Sequence, residues 1–316
     1  MRIVFMGTPD FAVPSLEALI KNGYHVVGVF CQPDRPKGRG HKLAACPVKE
    51  LALEHNIPVF QPERIKREEG VQMLKACQPD LCVTAAFGQL LSQEILDIPP
   101  MGTINVHSSL LPKHRGSAPI NWSVIMGDQV TGVTTMFTDK GMDTGDILLM
   151  RETPIGAQEN AGELSDRLAV MGAELLIETI RALEAGTLER IPQDHDAATY
   201  EPKMDKELGR IDWTKRAEEI DWLVRGTTPW PGAFTTLAGE EGMQTIKVFA
   251  LKIREGAPTG MPGEVVAADA KQGIVVSCAD HDVEMLTIQM PGAKRMNAKD
   301  YLRGHTMDTG VCLGKA

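Results

Sequence analysis

The first half of the chain alternates short apolar runs with segments of helical spacing, and this alternation restricts the fold more than any other property. Ile3–Met6 is apolar throughout and ends at Gly7, as a strand buried on both faces would. Residues 11–21 place apolar side chains at Phe11, Leu16, Leu19 and Ile20 and stop at Asn22-Gly23, the pattern of a helix with a C-terminal stop. Residues 26–30 read as the next strand, and 32–42 as a polar loop rich in Gly and Pro. Helical spacing returns over 48–55, a short strand over 59–60, and a helix with a polar face over 64–77. Residues 81–86 and 103–106 are two more apolar strands, the second running directly into His107. Repeated β-α-β units predict a parallel sheet with helices on both faces. Such sheets bind ligands at the carboxyl ends of their strands. Gly7, Phe87-Gly88 and Asn105–Ser109 all fall at such ends.

The second half differs. A long helix is expected over 161–185. Residues 187–205 are polar and lack periodicity. Five β-like runs separated by turn residues follow, at 233–237, 245–253, 263–267, 273–278 and 283–290. Strands at that spacing suggest a small barrel, and Thr214 is placed to cap a short helix reaching Gly226. The expected architecture is thus α/β: a Rossmann-like parallel-sheet N-terminal domain over 1–188, a linker over 189–206, and an OB-like β-barrel domain over 207–316.

Composition narrows the function by exclusion. The formal net charge is −9 over 316 residues, which argues against coating nucleic acid by bulk charge. None of the six cysteines forms a C-x-x-C pair, so neither a zinc site nor a disulfide framework is expected. Cys82 and Cys278 sit in apolar runs, and free buried thiols fit a reducing compartment. The N-terminus lacks the marks of a signal peptide, and no apolar stretch has the length of a membrane span. A cytoplasmic monomer is expected. The G-T-P-D-F-A segment at 7–12 is not the G-x-G-x-x-G fingerprint, so a dinucleotide site is poorly supported.

The densest group of chemically capable side chains is Asn105–Pro119, N-V-H-S-S-L-L-P-K-H-R-G-S-A-P. At strand spacing Asn105 and His107 share a face. An amide donor beside an imidazole suits stabilising an oxyanion while a proton moves. A Gly-punctuated loop at 139–146 adds three carboxylates, Asp139, Asp143 and Asp146, one of which could orient the imidazole. Spacing alone leaves a structural role open for each of these residues.

The run Asn105–Gly116, followed by D-T-G-D at 143–146, resembles the signature of the 10-formyltetrahydrofolate-dependent formyltransferases. The segments G-T-P-D-F-A, Q-P-D-R-P-K-G-R-G at 32–40, T-Y-E-P-K at 199–203, R-I-D-W at 210–213 and P-W-P-G-A-F at 229–234 are similar to the branch of that family whose acceptor is methionine carried on initiator tRNA. Ser108 stands where the family pattern has Gly, which places a φ > 0 there in doubt.

The resemblance implies transfer of the formyl group of 10-formyltetrahydrofolate to the amine of methionyl-initiator tRNA in translation initiation, without a metal. It implies that Asn105 and His107 donate hydrogen bonds to the developing oxyanion. Asp143, rather than Asp146, would pair with His107 and help receive the amine proton. Ser109, Leu110, Leu111 and Pro112 would form the folate-binding segment. Arg115 reads equally as a carboxylate partner or a surface residue. The loop 32–42 carries Arg35, Lys37, Arg39 and Lys42 against Asp34, a local +3 on a chain of −9, and is the expected tRNA contact. Lys247, Lys252, Lys294, Arg295, Lys299 and Arg303 are weaker candidates. The alternative is another folate-dependent transformylase acting on a small amine, which would share the chemical residues without needing the basic loop or the barrel.

Overall fold

A computed structural model describes residues 1–37, 42–239 and 242–314. Two compact units emerge: Met1–Pro119, Val130–Pro154 and Ser165–Pro202 form the first, and Ile120–Gln129, Ile155–Leu164 and Lys203–Ala316 the second.

The first unit is built on nine strands among the described residues. They are β1 (Arg2–Gly7), β2 (His25–Phe30), β3 (Arg35–Lys37), β4 (Lys42–Ala44), β5 (Val59–Phe60), β6 (Leu81–Ala85), β7 (Thr103–His107), β8 (Val130–Phe137) and β9 (Ile147–Pro154). Seven of them form one sheet in the order β5-β2-β1-β6-β7-β8-β9. The first five strands of that order are parallel, as expected, and β8 and β9 run antiparallel to their neighbours. Ile3, Val4, Phe5 and Met6 of β1 are fully buried, each such side chain stabilising the fold by about 1.5–3 kcal/mol. Helices α1 (Val13–Lys21), α2 (Pro47–Glu54), α3 (Glu68–Cys77) and α4 (Gln93–Leu96) belong to this unit, while α5 (Pro119–Ile125) from Ile120 on and the first turn of α6 (Ala161–Glu184) cluster with the second. Pro at the first turn and an Asn22 amide bonded to the Ala18 carbonyl at 2.8 Å bound α1. A Cβ on Gly7 would lie 2.7 Å from the Ala12 Cβ and 2.9 Å from the Ala85 carbonyl, so the turn out of β1 admits only glycine.

Several boundaries differ from expectation. The helix expected from residue 64 starts at Glu68, because Arg64–Arg67 closes as a separate turn and Gly70 backs onto the Ile65 backbone. The strand expected over 81–86 ends at Ala85, because Ala86 turns to φ 44°. Within the polar loop 32–42, Arg35–Lys37 and Lys42–Ala44 pair antiparallel as β3 and β4. The stretch read as a linker clusters through Pro202 with the first unit. Strands β8 and β9 fall where no element was expected.

The second unit contains α7 (Ala217–Thr227), β10 (Ala233–Gly239), β11 (Gly242–Ile253), β12 (Val265–Asp269), β13 (Gly273–Ser277), β14 (Asp282–Gln289), β15 (Met296–Asn297) and α8 (Ala298–Tyr301). Its strands run antiparallel in the order β10-β11-β14-β13-β12, with β15 added to β14. The OB-like barrel is therefore an antiparallel half-barrel, in which β10 and β12 are unjoined edges among the described residues. Ile220 and Val224 of α7 fill it together with Ile246, Val248, Val276 and Ile288. Thr214 does not cap α7. Its hydroxyl turns to Asp212 at 2.6 Å, and the Arg216 backbone N–H meets Glu219 at 3.2 Å instead. No helix among the described residues is long and apolar enough to cross a membrane.

Candidate active site

Strands β1, β6 and β7 end level with one another. Gly7 pairs with Ala85, and Thr84 with Asn105. This is the carboxyl edge of the parallel strands, and the order reverses between β1 and β6, the switch point where such sheets bind ligands.

Alternation along β7 sorts its side chains. Val106 is buried against α6, where a Cβ on Gly172 would lie 2.8 Å from its Cγ1. Asn105 and His107 therefore take the opposite face. On that face the Thr84 hydroxyl donates to the Asn105 amide oxygen at 2.8 Å. A hydroxyl that holds the oxygen turns the amide's N–H groups the other way. Thr84 was not singled out from sequence. Its only signal is a polar residue inside the apolar run L-C-V-T-A-A-F.

His107 is buried, at 5% exposure. Its Nε2 lies 3.1 Å from the His114 carbonyl, which can only accept, so Nε2 carries a proton. Its Nδ1 faces Asp143 Oδ1 at 3.7 Å. The Asp143 carboxylate also accepts from the Gly116 N–H at 2.9 Å. The two other loop carboxylates are engaged elsewhere. Asp146 pairs with Arg190 at 2.9 Å. Asp139 accepts from the Thr144 hydroxyl at 2.6 Å and the Gly141 N–H at 3.0 Å. Asp143 holds φ 55°, a left-handed conformation that Asp adopts more readily than most non-Gly residues. Ser108 is buried and is not among the residues at positive φ, so Ser in place of Gly meets no strain there.

The segment 109–112 folds as a tight turn with a cis Leu111-Pro112 bond. Ser109 is fully buried and its hydroxyl donates to the Lys113 carbonyl at 2.6 Å. Leu111 is buried with Met136 and Ile147. Leu110 and Pro112 are half-buried. The Thr134 hydroxyl ties the turn to β8, donating to the Ser109 carbonyl at 2.7 Å and accepting from the Leu111 N–H at 3.2 Å.

Arg115 is not a surface residue, and among the described residues it pairs with no carboxylate. It is 2% exposed and donates to Gln193 Oε1 at 2.7 and 3.2 Å and to the Tyr200 hydroxyl at 2.5 Å. Gln193, Thr199 and Tyr200 belong to the stretch read as a linker. Its polarity hid them, because a polar side chain that meets a buried partner reads the same as one that meets water.

The basic loop is partly described. Arg35 is exposed on β3, the backbones of Lys37 and Lys42 lie in β3 and β4, and Arg39 lies outside the described residues. Asp34 binds Lys49 at 2.6 Å and Gln61 at 2.8 Å. Those bonds, Lys49 first, hold its carboxyl below the usual range. In the second unit Lys247, Lys252 and Lys294 are exposed. Lys299 is held by Glu284 at 2.9 Å and Arg303 by Asp300 at 3.1 Å, while Arg295 lies 4.1 Å over the Phe249 ring.

Comparison with known proteins places the chain in a family. Residues 1–180 match the formyl transferase family model, and residues 203–306 match the formyl transferase C-terminal domain model. The chain is 52% identical over 315 residues to a curated methionyl-tRNA formyltransferase from Ruminiclostridium cellulolyticum, covering 100% of both chains. It is 50% identical to one from Acetivibrio thermocellus, again over 100% of both. The chain therefore belongs to the methionyl-tRNA formyltransferase family. Among solved structures, HypX from Aquifex aeolicus in complex with tetrahydrofolic acid shares the fold, with a TM-score of 0.62 at 19% identity over 96% of this chain. This chain spans about half of that protein, 47%.

Proposed function

We propose that this chain transfers the formyl group of 10-formyltetrahydrofolate to the α-amine of methionine esterified to initiator tRNA, yielding N-formylmethionyl-tRNA for translation initiation. The observation that carries this reading is the full-length identity to methionyl-tRNA formyltransferases, which spans both matched regions rather than the N-terminal one alone. The juxtaposition of Asn105, His107 and Asp143 at a strand-end site supports the chemistry.

Attack by the neutral amine on the formyl carbon builds negative charge on the formyl oxygen and positive charge on the amine nitrogen. The amine loses a proton, the folate nitrogen gains one, and the C–N bond to that nitrogen breaks, releasing tetrahydrofolate. Asn105 donates an amide N–H to the developing oxyanion, in the orientation that Thr84 favours. His107 is the second donor once its Nε2–H exchanges the His114 carbonyl, 3.1 Å away, for the oxyanion. Asp143 pairs with the imidazole and takes part in receiving the amine proton. Removing one donor of this kind costs about 100- to 1,000-fold in rate. Leu110 and Pro112 supply half-buried apolar surface for a flat pterin. Ser109 and Leu111 hold the turn whose backbone groups meet its edge.

Residues 1–188 carry the catalysis, 189–206 link it onward, and 207–316 contact tRNA. Arg35, Lys37, Arg39 and Lys42 meet the tRNA backbone. The protein acts as a cytoplasmic monomer.

The test is formylation of charged initiator tRNA with 10-formyltetrahydrofolate as donor, run beside glycinamide ribonucleotide and an amino sugar. Formylmethionyl-tRNA is the expected product. Formylation of a small amine but not of the tRNA would overturn the reading.

A further inference from the structure

Gln193 lies on the stretch that joins the two matched regions, and it is 7% exposed. Its side-chain nitrogen donates to the Asp143 carbonyl at 2.9 Å and the Gly145 carbonyl at 2.7 Å. Its oxygen accepts from Arg115 Nε at 3.2 Å and Nη2 at 2.7 Å. A guanidinium only donates, so the amide has a single workable orientation: oxygen toward Arg115, nitrogen toward the loop. Arg115 is fixed in turn by the Tyr200 hydroxyl at 2.5 Å and by His195 Nδ1 at 3.1 Å. Its backbone N–H meets the Thr199 carbonyl at 3.0 Å.

The loop that Gln193 holds needs holding. It leaves β8 at Phe137, which pairs with Ile104, yet Asp143 reaches His107 three residues further along β7. Asp143 sits at φ 55°, a left-handed turn that Asp tolerates. The contacts that fix Asp143 are the Gly116 N–H on its carboxylate and Gln193 on its carbonyl. We infer that Gln193, locked by Arg115, is a positioning residue that sets the Asp143 carboxylate against His107. The inference rests on the proposed role of Asp143 in formyl transfer.

The test uses the full chain with charged initiator tRNA and 10-formyltetrahydrofolate, and variants Gln193→Glu, Gln193→Ala and Asp143→Asn. Gln193→Glu keeps an acceptor for Arg115 and loses the amide donors to the two carbonyls. Its kcat should fall about 10- to 100-fold, as small misplacements of reacting groups do, while KM for each substrate stays within about threefold. Its pH–rate profile should shift relative to the parent chain. In the Asp143→Asn background the same change should cost nothing further. Gln193→Ala should behave likewise; if it fails to fold, Gln193→Glu decides alone. Parental kcat and pH profile in Gln193→Glu, a loss confined to KM, or an undiminished loss in the Asp143→Asn background would overturn the positioning role. Parental activity in Asp143→Asn would instead sink the reading of the site itself.

Discussion

Replacing Thr84 by Val removes one hydroxyl and keeps the shape of a buried, β-branched side chain in β6. The lost contact is the 2.8 Å bond to the Asn105 amide oxygen. A neutral hydrogen bond of this kind is worth about 0.5–1.5 kcal/mol net. If that energy is what selects the catalytic orientation of the amide, its loss lets the flipped form compete, presenting oxygen where the oxyanion needs a donor. At 1.36 kcal/mol per tenfold, the bond favours that orientation about 2- to 13-fold, so its loss leaves the two orientations equal and lowers kcat by about 1.4- to 1.9-fold. That is well below the 100-fold or more expected for Asn105→Ala. The assay is single-turnover formylation of methionyl-tRNA, with thermal melting run alongside. The decisive comparison is the cycle of Thr84→Val, Asn105→Ala and the pair. Thr84→Val should have no effect once Asn105 is Ala. An equal loss in both backgrounds, or no loss in either, would refute the claim that Thr84 acts through Asn105.

Burial, foremost, pushes the thiols of Cys31 and Cys278 up to about 12 and raises that of Cys82. A disulfide reagent at pH 8 should therefore label the half-buried Cys46 and Cys312 first, and the four buried thiols, Cys31, Cys77, Cys82 and Cys278, only on unfolding. Asp280 accepts the Ala217 N–H at 2.8 Å at the start of α7, and that backbone bond leads in lowering its pKa. A lowered folded pKa gives stability that is complete above the unfolded value, about 3.9, and is lost as pH falls through the folded one. Melting temperatures below about pH 4 should then decline more steeply for the parent chain than for Asp280→Asn. Replacing Arg39 and Lys42 by Ala should weaken tRNA binding and flatten the slope of log K against log salt by about 1.4–1.8, the share of two phosphate contacts. Loss of reactivity toward free methionine esters as well would assign the loop to catalysis instead.

Much of the architecture was legible because burial on both faces leaves continuous apolar strands such as Ile3–Met6, and because helices stop at residues such as Asn22-Gly23. The alternation that puts Asn105 and His107 together is equally local, a matter of period two along one strand. Strands β8 and β9 were less legible. Between Ile147 and Pro154 the run mixes apolar residues with Arg151, Glu152 and Thr153. Arg151 meets Glu174 and Glu178 of α6 at 2.9 and 2.5 Å, a pairing no local pattern announces. Thr84, Gln193 and the buried state of Arg115 depend on partners 21, 50 and 78 residues away in the chain. Side-chain polarity reports what a residue can bond, not whether the partner is water.

The polypeptide between the two matched regions thus has an office besides spanning them. Thr199 and Tyr200 run beside His114 and Arg115, and Gln193 grips the carboxylate loop. For anyone truncating the gene, this rules out a cut at residue 188, although residues 120–129 and 155–164 cluster with the second unit and no single cut separates the two. A fragment ending at residue 188 would keep Asn105, His107 and Asp143 and shed their scaffolding. One ending after Pro202 would keep both.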